Sequence, residues 1–254
     1  VFEDPETDPY TSNEPSIELM REAQETFDAV VGTGNYDVGI VLTRGIYGLN
    51  QLASVCDPLH KGASSFGLPV PDGSEFHVRM IVHELPHQFG AEHTFNSAEG
   101  ICSDRRREWH AFEPGSGSTL MSYAGLPCGD DGFQTVNDGY FHSESLKQIL
   151  DFLNSGAADC AEIEPTGNTP PAVNAGPEFT IPMLTPFALT ATGSDPDGDE
   201  IFYCWEQRDR GPAQSWDAPD NGMSPLFRSY PPVSDPTRTF PAMEYLLANE
   251  QAPG

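Results

Sequence analysis

Residues 83–93 read HELPHQFGAEH and carry the pattern His-Glu-x-x-His-x-x-Gly-x-x-His, formed by His83, Glu84, His87, Gly90 and His93. On an α-helix, His83 and His87 lie one turn apart on the same face, so both imidazoles can reach one metal ion. Gly90 can adopt the left-handed or tight turn that ends the helix and brings His93 back as a third ligand. Three nitrogen ligands with an open fourth position indicate a catalytic zinc site rather than a structural one.

Glu84 directly follows the first ligand, and we predict that it accepts a proton from a zinc-activated water. The alternative is an amphipathic helix whose histidines are simply hydrogen-bonded. A lone histidine would favour that alternative, but five fixed positions with these residues arise by chance in roughly one in ten thousand chains or fewer. The sequence therefore predicts zinc bound by His83, His87 and His93, with Glu84 as the general base.

This motif, together with Met121 in STLMSYAG (residues 118–125), resembles the metzincin zinc peptidases, whose Met-turn lies beneath the zinc site. The likeness to bacterial reprolysin-like enzymes covers roughly residues 15–160. It implies an α+β catalytic domain with a twisted mixed sheet, an active-site helix and a loop-rich lower subdomain. It also implies a secreted zinc endopeptidase that cleaves proteins or peptides. One departure is Pro86, which stands where such enzymes usually have glycine.

Tyr123 follows the predicted Met-turn in the order Met-Ser-Tyr. The resemblance here is to the Met-x-Tyr of astacin-like and serralysin-like enzymes, where the phenol can ligate zinc and then swing away. A phenol in that position could be a fifth ligand or could stabilise the oxyanion. The alternative is a tyrosine that only packs within its turn.

Composition excludes several classes of partner. The 254 residues carry a formal net charge of −27, which argues against a general nucleic-acid or anionic-membrane binder. Apolar runs such as VGIVL are too short to span a bilayer. No signal peptide is visible at Val1, so we interpret the chain as the mature form of an exported protein, and we expect a monomer.

Five cysteines fit the same interpretation, and none belongs to a CxxC pair. Four of them surround the peptidase-like part and allow three pairings. We favour Cys56 with Cys160 and Cys102 with Cys128, because each bond would close a long loop in an oxidising compartment. The alternative is that all are free and buried. Cys204 stands apart.

Hydrophobic periodicity and the bounding Gly and Pro residues predict these elements: a helix from near 15 to 32, a buried strand at 36–44, a second strand at 47–56, a helix at about 74–89 and a helix at 143–156. Metzincins bind substrate backbone as an added antiparallel strand along one sheet edge. We expect strand 47–56 to be that edge, the alternative being an ordinary inner strand. The last helix is predicted to turn its leucines inward, and residues 93–142 are predicted to be mostly irregular.

Domain limits follow from composition. We predict a peptidase domain at 1–161, a linker at 162–171 and a small all-β module at 172–254, which resembles part of an immunoglobulin-like or PKD-like sandwich. In that module Trp205 would pack into the core. The acidic stretch 128–142 has enough carboxylates to hold calcium but lacks EF-hand spacing, so Ca²⁺ is a second candidate ion.

The rival hypothesis is a binding or adhesion protein on a degenerate peptidase scaffold, in which Pro86 has abolished catalysis. Intact Glu84 and three intact histidines favour the enzyme. Casein or gelatin turnover that a chelator abolishes would separate the two.

Overall fold

The computed structural model describes residues 6–43, 45, 47–67 and 75–250, without the side chains of 75–78. Two compact units divide the chain. The first contains Val1–Glu92 and Ser143–Ile163, and the second contains His93–His142 and Glu164–Gly254. No described helix combines the length and the apolar character that a membrane span requires.

Helix α1 spans Ile17–Phe27 and begins at Ser16, whose hydroxyl accepts the Leu19 N–H at 3.0 Å. This capping bond satisfies one of the amides that a helix start leaves unpaired. Gln24, on the buried face, accepts the Gly62 N–H at 2.6 Å and so ties the helix to the chain leading into the sheet.

A mixed three-stranded sheet follows, in the order β1-β3-β2. Strands β1 (Val41–Thr43) and β3 (Ser64–Gly67) are parallel, while β2 (Gly48–Asn50) pairs antiparallel with β3 and lies at an edge. Both predicted strands are therefore present but much shorter than expected, and β1 is only partly buried. The central strand β3 was not predicted, because its Ser and Gly residues have low strand propensity although the whole strand is buried.

Helix α2 spans Glu75–Gln88, in agreement with the prediction for 74–89. Its end is a Schellman motif: the Gly90 N–H donates to the His87 carbonyl and the Ala91 N–H to the Pro86 carbonyl, both at 3.0 Å. Gly90 has φ +84°, so the left-handed residue predicted at this position is confirmed. Pro86 lies in the last turn of the helix.

Residues 93–142 are irregular, as predicted, apart from short 3₁₀ turns at Gly100–Cys102 and Gly129–Asp131. Helix α3 spans Ser143–Asn154 and closes the first unit. The prediction that its leucines face inward is wrong, because Leu146, Leu150 and Leu153 are exposed. Glu144 and Ser145 are the buried residues of this helix instead.

The C-terminal region contains two two-stranded sheets: β4 (Ala172–Asn174) with β6 (Thr192–Ser194), and β5 (Phe187–Thr190) with β7 (Thr237–Phe240). A short helix, α4, follows at Met243–Ala248. Trp205 is part-buried and its indole N–H donates to the Pro236 carbonyl at 3.0 Å. The predicted immunoglobulin-like or PKD-like sandwich is not confirmed by this arrangement.

Part of this C-terminal region packs against the irregular loops within the second unit. The Asn96 side-chain amide donates to the Pro212 carbonyl at 3.1 Å, and the Tyr140 hydroxyl to Ser229 Oγ at 2.6 Å. The predicted limits at 161 and 172 stay a prediction.

Two disulfides, Cys56–Cys160 and Cys102–Cys128, form as predicted. The second bond lies in a fully buried cluster with Phe95, against which the half-buried Tyr123 packs. It therefore anchors the irregular region close to the residues that follow the histidine motif. Cys204 is not disulfide-bonded.

Candidate metal centre

Helix α2 presents the first two predicted ligands one turn apart. The ring centroids of His83 and His87 lie 5.2 Å from each other, so their imidazoles can converge on one ion as the i, i+4 spacing predicts. His83 is buried and His87 is partly buried. The carbonyls of His87 and Gln88 at the helix end accept backbone N–H groups from Ala53 and Ser54 at 2.9 and 2.8 Å, which fixes this end of the helix.

Backbone carbonyls orient two of the imidazoles. His87 Nδ1 lies 2.6 Å from the Ala91 carbonyl oxygen, and His93 Nδ1 lies 2.9 Å from that of Arg105. A carbonyl can only accept, so each Nδ1 donates, which leaves Nε2 as the nitrogen available to bind a metal ion. Such an outer contact typically fixes the tautomer and the ring orientation of a metal-binding histidine.

The three predicted ligands come together. One nitrogen from each of His83, His87 and His93 lies within 4.8 Å of the others, a spacing at which one ion can be held. Three neutral imidazoles suit a borderline-soft ion such as zinc, and they leave a coordination position for water or substrate. The donor set therefore fits zinc. In the described part of the chain, no other group of three or more His, Cys, Asp or Glu side chains is close enough to hold an ion, so calcium at 128–142 is not supported.

Glu84 is buried, with 6% of its surface exposed. Its carboxylate lies against strand β2, where it accepts a hydrogen bond from the side-chain amide of Asn50. At Gly48, two residues earlier on the same strand, a Cβ would overlap the Glu84 carboxylate, so any larger residue there would displace that carboxylate. The structure therefore places the predicted general base next to the first ligand and against the sheet edge.

A buried carboxylate that the sequence did not reveal holds the Met-turn loop, residues 116–123. Glu113 is 1% exposed. Its Oε2 accepts the backbone N–H groups of Ser118 and Thr119 at 2.7 and 2.9 Å, and its Oε1 accepts hydrogen bonds from the hydroxyls of Thr94 and Thr119. Glu113 therefore accepts the buried hydrogen bonds that hold the loop carrying Met121.

Met121 is fully buried, and its carbonyl accepts the Thr94 N–H at 3.2 Å. Since Thr94 directly follows His93, this bond joins the predicted Met-turn to the chain of the third ligand. The local signal that could have revealed Glu113 is its position before a loop of Gly, Ser and Thr, whose buried N–H and O–H groups need an acceptor.

Tyr123 lies beside the third ligand. Its ring centroid is 4.5 Å from that of His93, in an edge-to-face arrangement, and 4.7 Å from that of Phe95. Tyr123 therefore both packs within its turn and lies beside the third ligand.

Arg106 has a role that the sequence did not predict. The guanidinium donates to Asn96 Oδ1 at 3.0 Å and to the Gly211 carbonyl at 2.8 Å, and burial lowers the pKa of this arginine. It therefore links the loop after the third ligand to the C-terminal region of the same unit.

Comparison with known proteins agrees with this site. A family model described as metallo-peptidase family M12B, reprolysin-like, matches residues 1–151, which include the whole histidine motif and the Met-turn loop. A search of curated proteins finds no match. The chain belongs to the M12B reprolysin-like family of metallopeptidases, a zinc-dependent family that acts on proteins or peptides.

Proposed function

We propose that this protein is a secreted zinc endopeptidase that hydrolyses internal peptide bonds, with Glu84 as general base and His83, His87 and His93 as zinc ligands. The observation that carries the proposal is the convergence of the three imidazoles within 4.8 Å. Zinc bound there would supply Lewis acidity, which polarises the scissile carbonyl and activates a water. Glu84 follows the first ligand and lies on the same helix as two of the imidazoles.

Glu84 performs the proton transfers in this proposal. Its carboxylate accepts a proton from the attacking water and delivers it to the nitrogen of the departing amine, so the bond between the carbonyl carbon and that nitrogen breaks. Burial supports this role, because a carboxylate shielded from bulk water keeps the proton within the site. No covalent link between enzyme and substrate is needed.

We propose that the substrate backbone binds along strand β2. This strand lies at a sheet edge, and its partner β3 runs antiparallel to it. An extended peptide could add to such an edge through backbone hydrogen bonds. Asn50 and Gly48 on this strand contact Glu84, so a peptide bound along β2 would pass close to the general base.

Tyr123 is a further candidate in the reaction, as a zinc ligand or as a donor to the oxyanion. Its edge-to-face contact with His93 supports this proposal. For secretion, the support is the pair of disulfides, which form and persist in oxidising compartments.

The test compares casein turnover by purified protein before and after removal of metal with a chelator. We expect turnover to disappear and to return when zinc is restored. Glu84→Ala should keep its zinc and its fold but lose roughly 10²- to 10⁴-fold in turnover, the usual contribution of a general base. Glu92→Ala is the matched control, since its carboxylate lies in the same stretch but outside the pattern. Near-full activity of Glu84→Ala would refute the mechanism. Absence of turnover in zinc-loaded wild type would favour the binding-protein alternative.

A further inference from the structure

The face of strand β2 that meets Glu84 consists of two residues. Side chains alternate along a strand, so Gly48 and Asn50 point to the same side and Leu49 to the other. At Gly48 a Cβ would overlap the Glu84 carboxylate, and at Asn50 the side-chain amide donates to Glu84 Oε2. Gly48 and Asn50 together form the surface against which the Glu84 carboxylate packs.

Ser64 on the neighbouring strand sets the orientation of that amide. Its hydroxyl donates to Asn50 Oδ1, and Asn50 and Ser64 are direct partners in the β2–β3 register. Because Oδ1 accepts from Ser64, the amide nitrogen Nδ2 is directed at Glu84. Ser64 is fully buried, so the chain Ser64–Asn50–Glu84 begins in the core of the sheet and ends at the general base.

We infer that Asn50 is a positioning residue for Glu84: it anchors Oε2, so that Oε1 is the oxygen that takes the proton from the attacking water. This inference rests on the proposed function. A glutamate side chain has several rotatable bonds, and a misplacement of about 1 Å can lower a rate by roughly 100-fold. An anchor on one oxygen restricts the carboxylate without removing its capacity to accept a proton at the other.

The test uses Asn50→Asp and Asn50→Ala in the full chain. The aspartate has nearly the same shape but, when ionised, cannot donate to Glu84. Hydrolysis of a fluorogenic peptide should show kcat reduced by about 10- to 100-fold in both variants, the range typical of a lost hydrogen bond to a charged group. We expect KM to stay within about twofold and zinc content to match wild type. Both variants disturb buried polar groups and should melt a few degrees lower, so kcat is measured well below the melting transition.

Ser64→Ala, which removes only the group that orients the amide, should lower kcat in the same direction but by less. Asn154→Ala is the control, because it removes an exposed side-chain amide on helix α3, outside the proposed substrate strand. It should leave all four measurements unchanged.

Two results would overturn the inference while leaving the proposed function intact. One is unchanged kcat in both Asn50 variants of an enzyme whose wild type shows chelator-sensitive turnover. The other is a loss of kcat that is fully accounted for by lost zinc or by unfolded protein at the assay temperature, since that would make Asn50 a structural residue. A wild type without chelator-sensitive turnover would overturn the proposed function, and the inference with it.

Discussion

Replacing Glu113 by alanine removes the acceptor around which the Met-turn loop is organised. The two backbone N–H groups of Ser118 and Thr119 donate to one oxygen, Oε2, and both residues are fully buried. Neither amide can turn towards another partner without moving the chain. A buried donor left unsatisfied costs about 1–3 kcal/mol, so two of them give a loss of stability of about 4 kcal/mol.

Glu113→Gln should be far milder. The amide oxygen of glutamine can occupy the place of Oε2 and still accept both N–H groups. Its NH₂ group then takes the place of Oε1, where the hydroxyls of Thr94 and Thr119 can rotate to accept rather than donate. We expect a loss of about 1 kcal/mol for this variant, the net value of an ordinary hydrogen bond.

Thermal melting separates the two variants. For a domain of 150–250 residues, about 1 kcal/mol shifts the melting temperature by roughly 2–4 °C. Glu113→Ala should therefore melt about 10 °C below wild type, and Glu113→Gln within about 4 °C of it. Glu99→Ala is the control: this exposed carboxylate also accepts a backbone N–H, from Asp130 at 3.1 Å. A Glu113→Ala melting temperature no lower than that of the control would refute the role assigned to Glu113.

Three further variants test other parts of the structure. Pro86→Gly should gain up to about 2 kcal/mol in stability, or ~4–8 °C in melting temperature, because proline in a helix is about 3 kcal/mol and glycine about 1 kcal/mol worse than alanine. No gain in a thermal melt would mean that the last turn of α2 already tolerates the proline. Replacing both Cys102 and Cys128 by serine should lower the free energy of unfolding by about 3.5 kcal/mol, a value that follows from the 26-residue separation of the bonded cysteines. Denaturant titration measures that loss, and an unchanged midpoint would contradict it. Tyr123→Phe should lower kcat with little change in KM if the phenol stabilises the transition state, whereas unchanged steady-state kinetics would leave Tyr123 as a packing residue.

Local patterns in the sequence account for the parts of the site that were predicted. His83 and His87 are one helical turn apart, and Gly90 adopts the positive φ that a helix end of this type requires. These features depend on the nearest few residues, so spacing alone reveals them. The disulfide pairings were also predicted, although the reason was loop closure rather than local pattern.

Contacts between residues far apart in the chain were not predicted. Asn50 meets Glu84 across 34 residues, and no spacing rule links a strand asparagine to a helix glutamate. Strand β3 was missed for a related reason: its burial comes from its neighbours, whereas its small residues give no period-2 hydrophobic pattern.

Helix α3 shows the opposite error. Its leucines follow the spacing of a buried face, yet Leu146, Leu150 and Leu153 are exposed and Glu144 is buried. Amphipathic spacing identifies a helix and its apolar face. It does not state whether another part of the chain covers that face.

Metal analysis of the purified protein tests the central claim most directly. We predict one zinc per chain after dialysis against metal-free buffer, and a large loss of bound zinc in His93→Ala, since that variant removes one of the three convergent nitrogens. Wild type without bound zinc, or His93→Ala with its full complement, would contradict the assignment of the site.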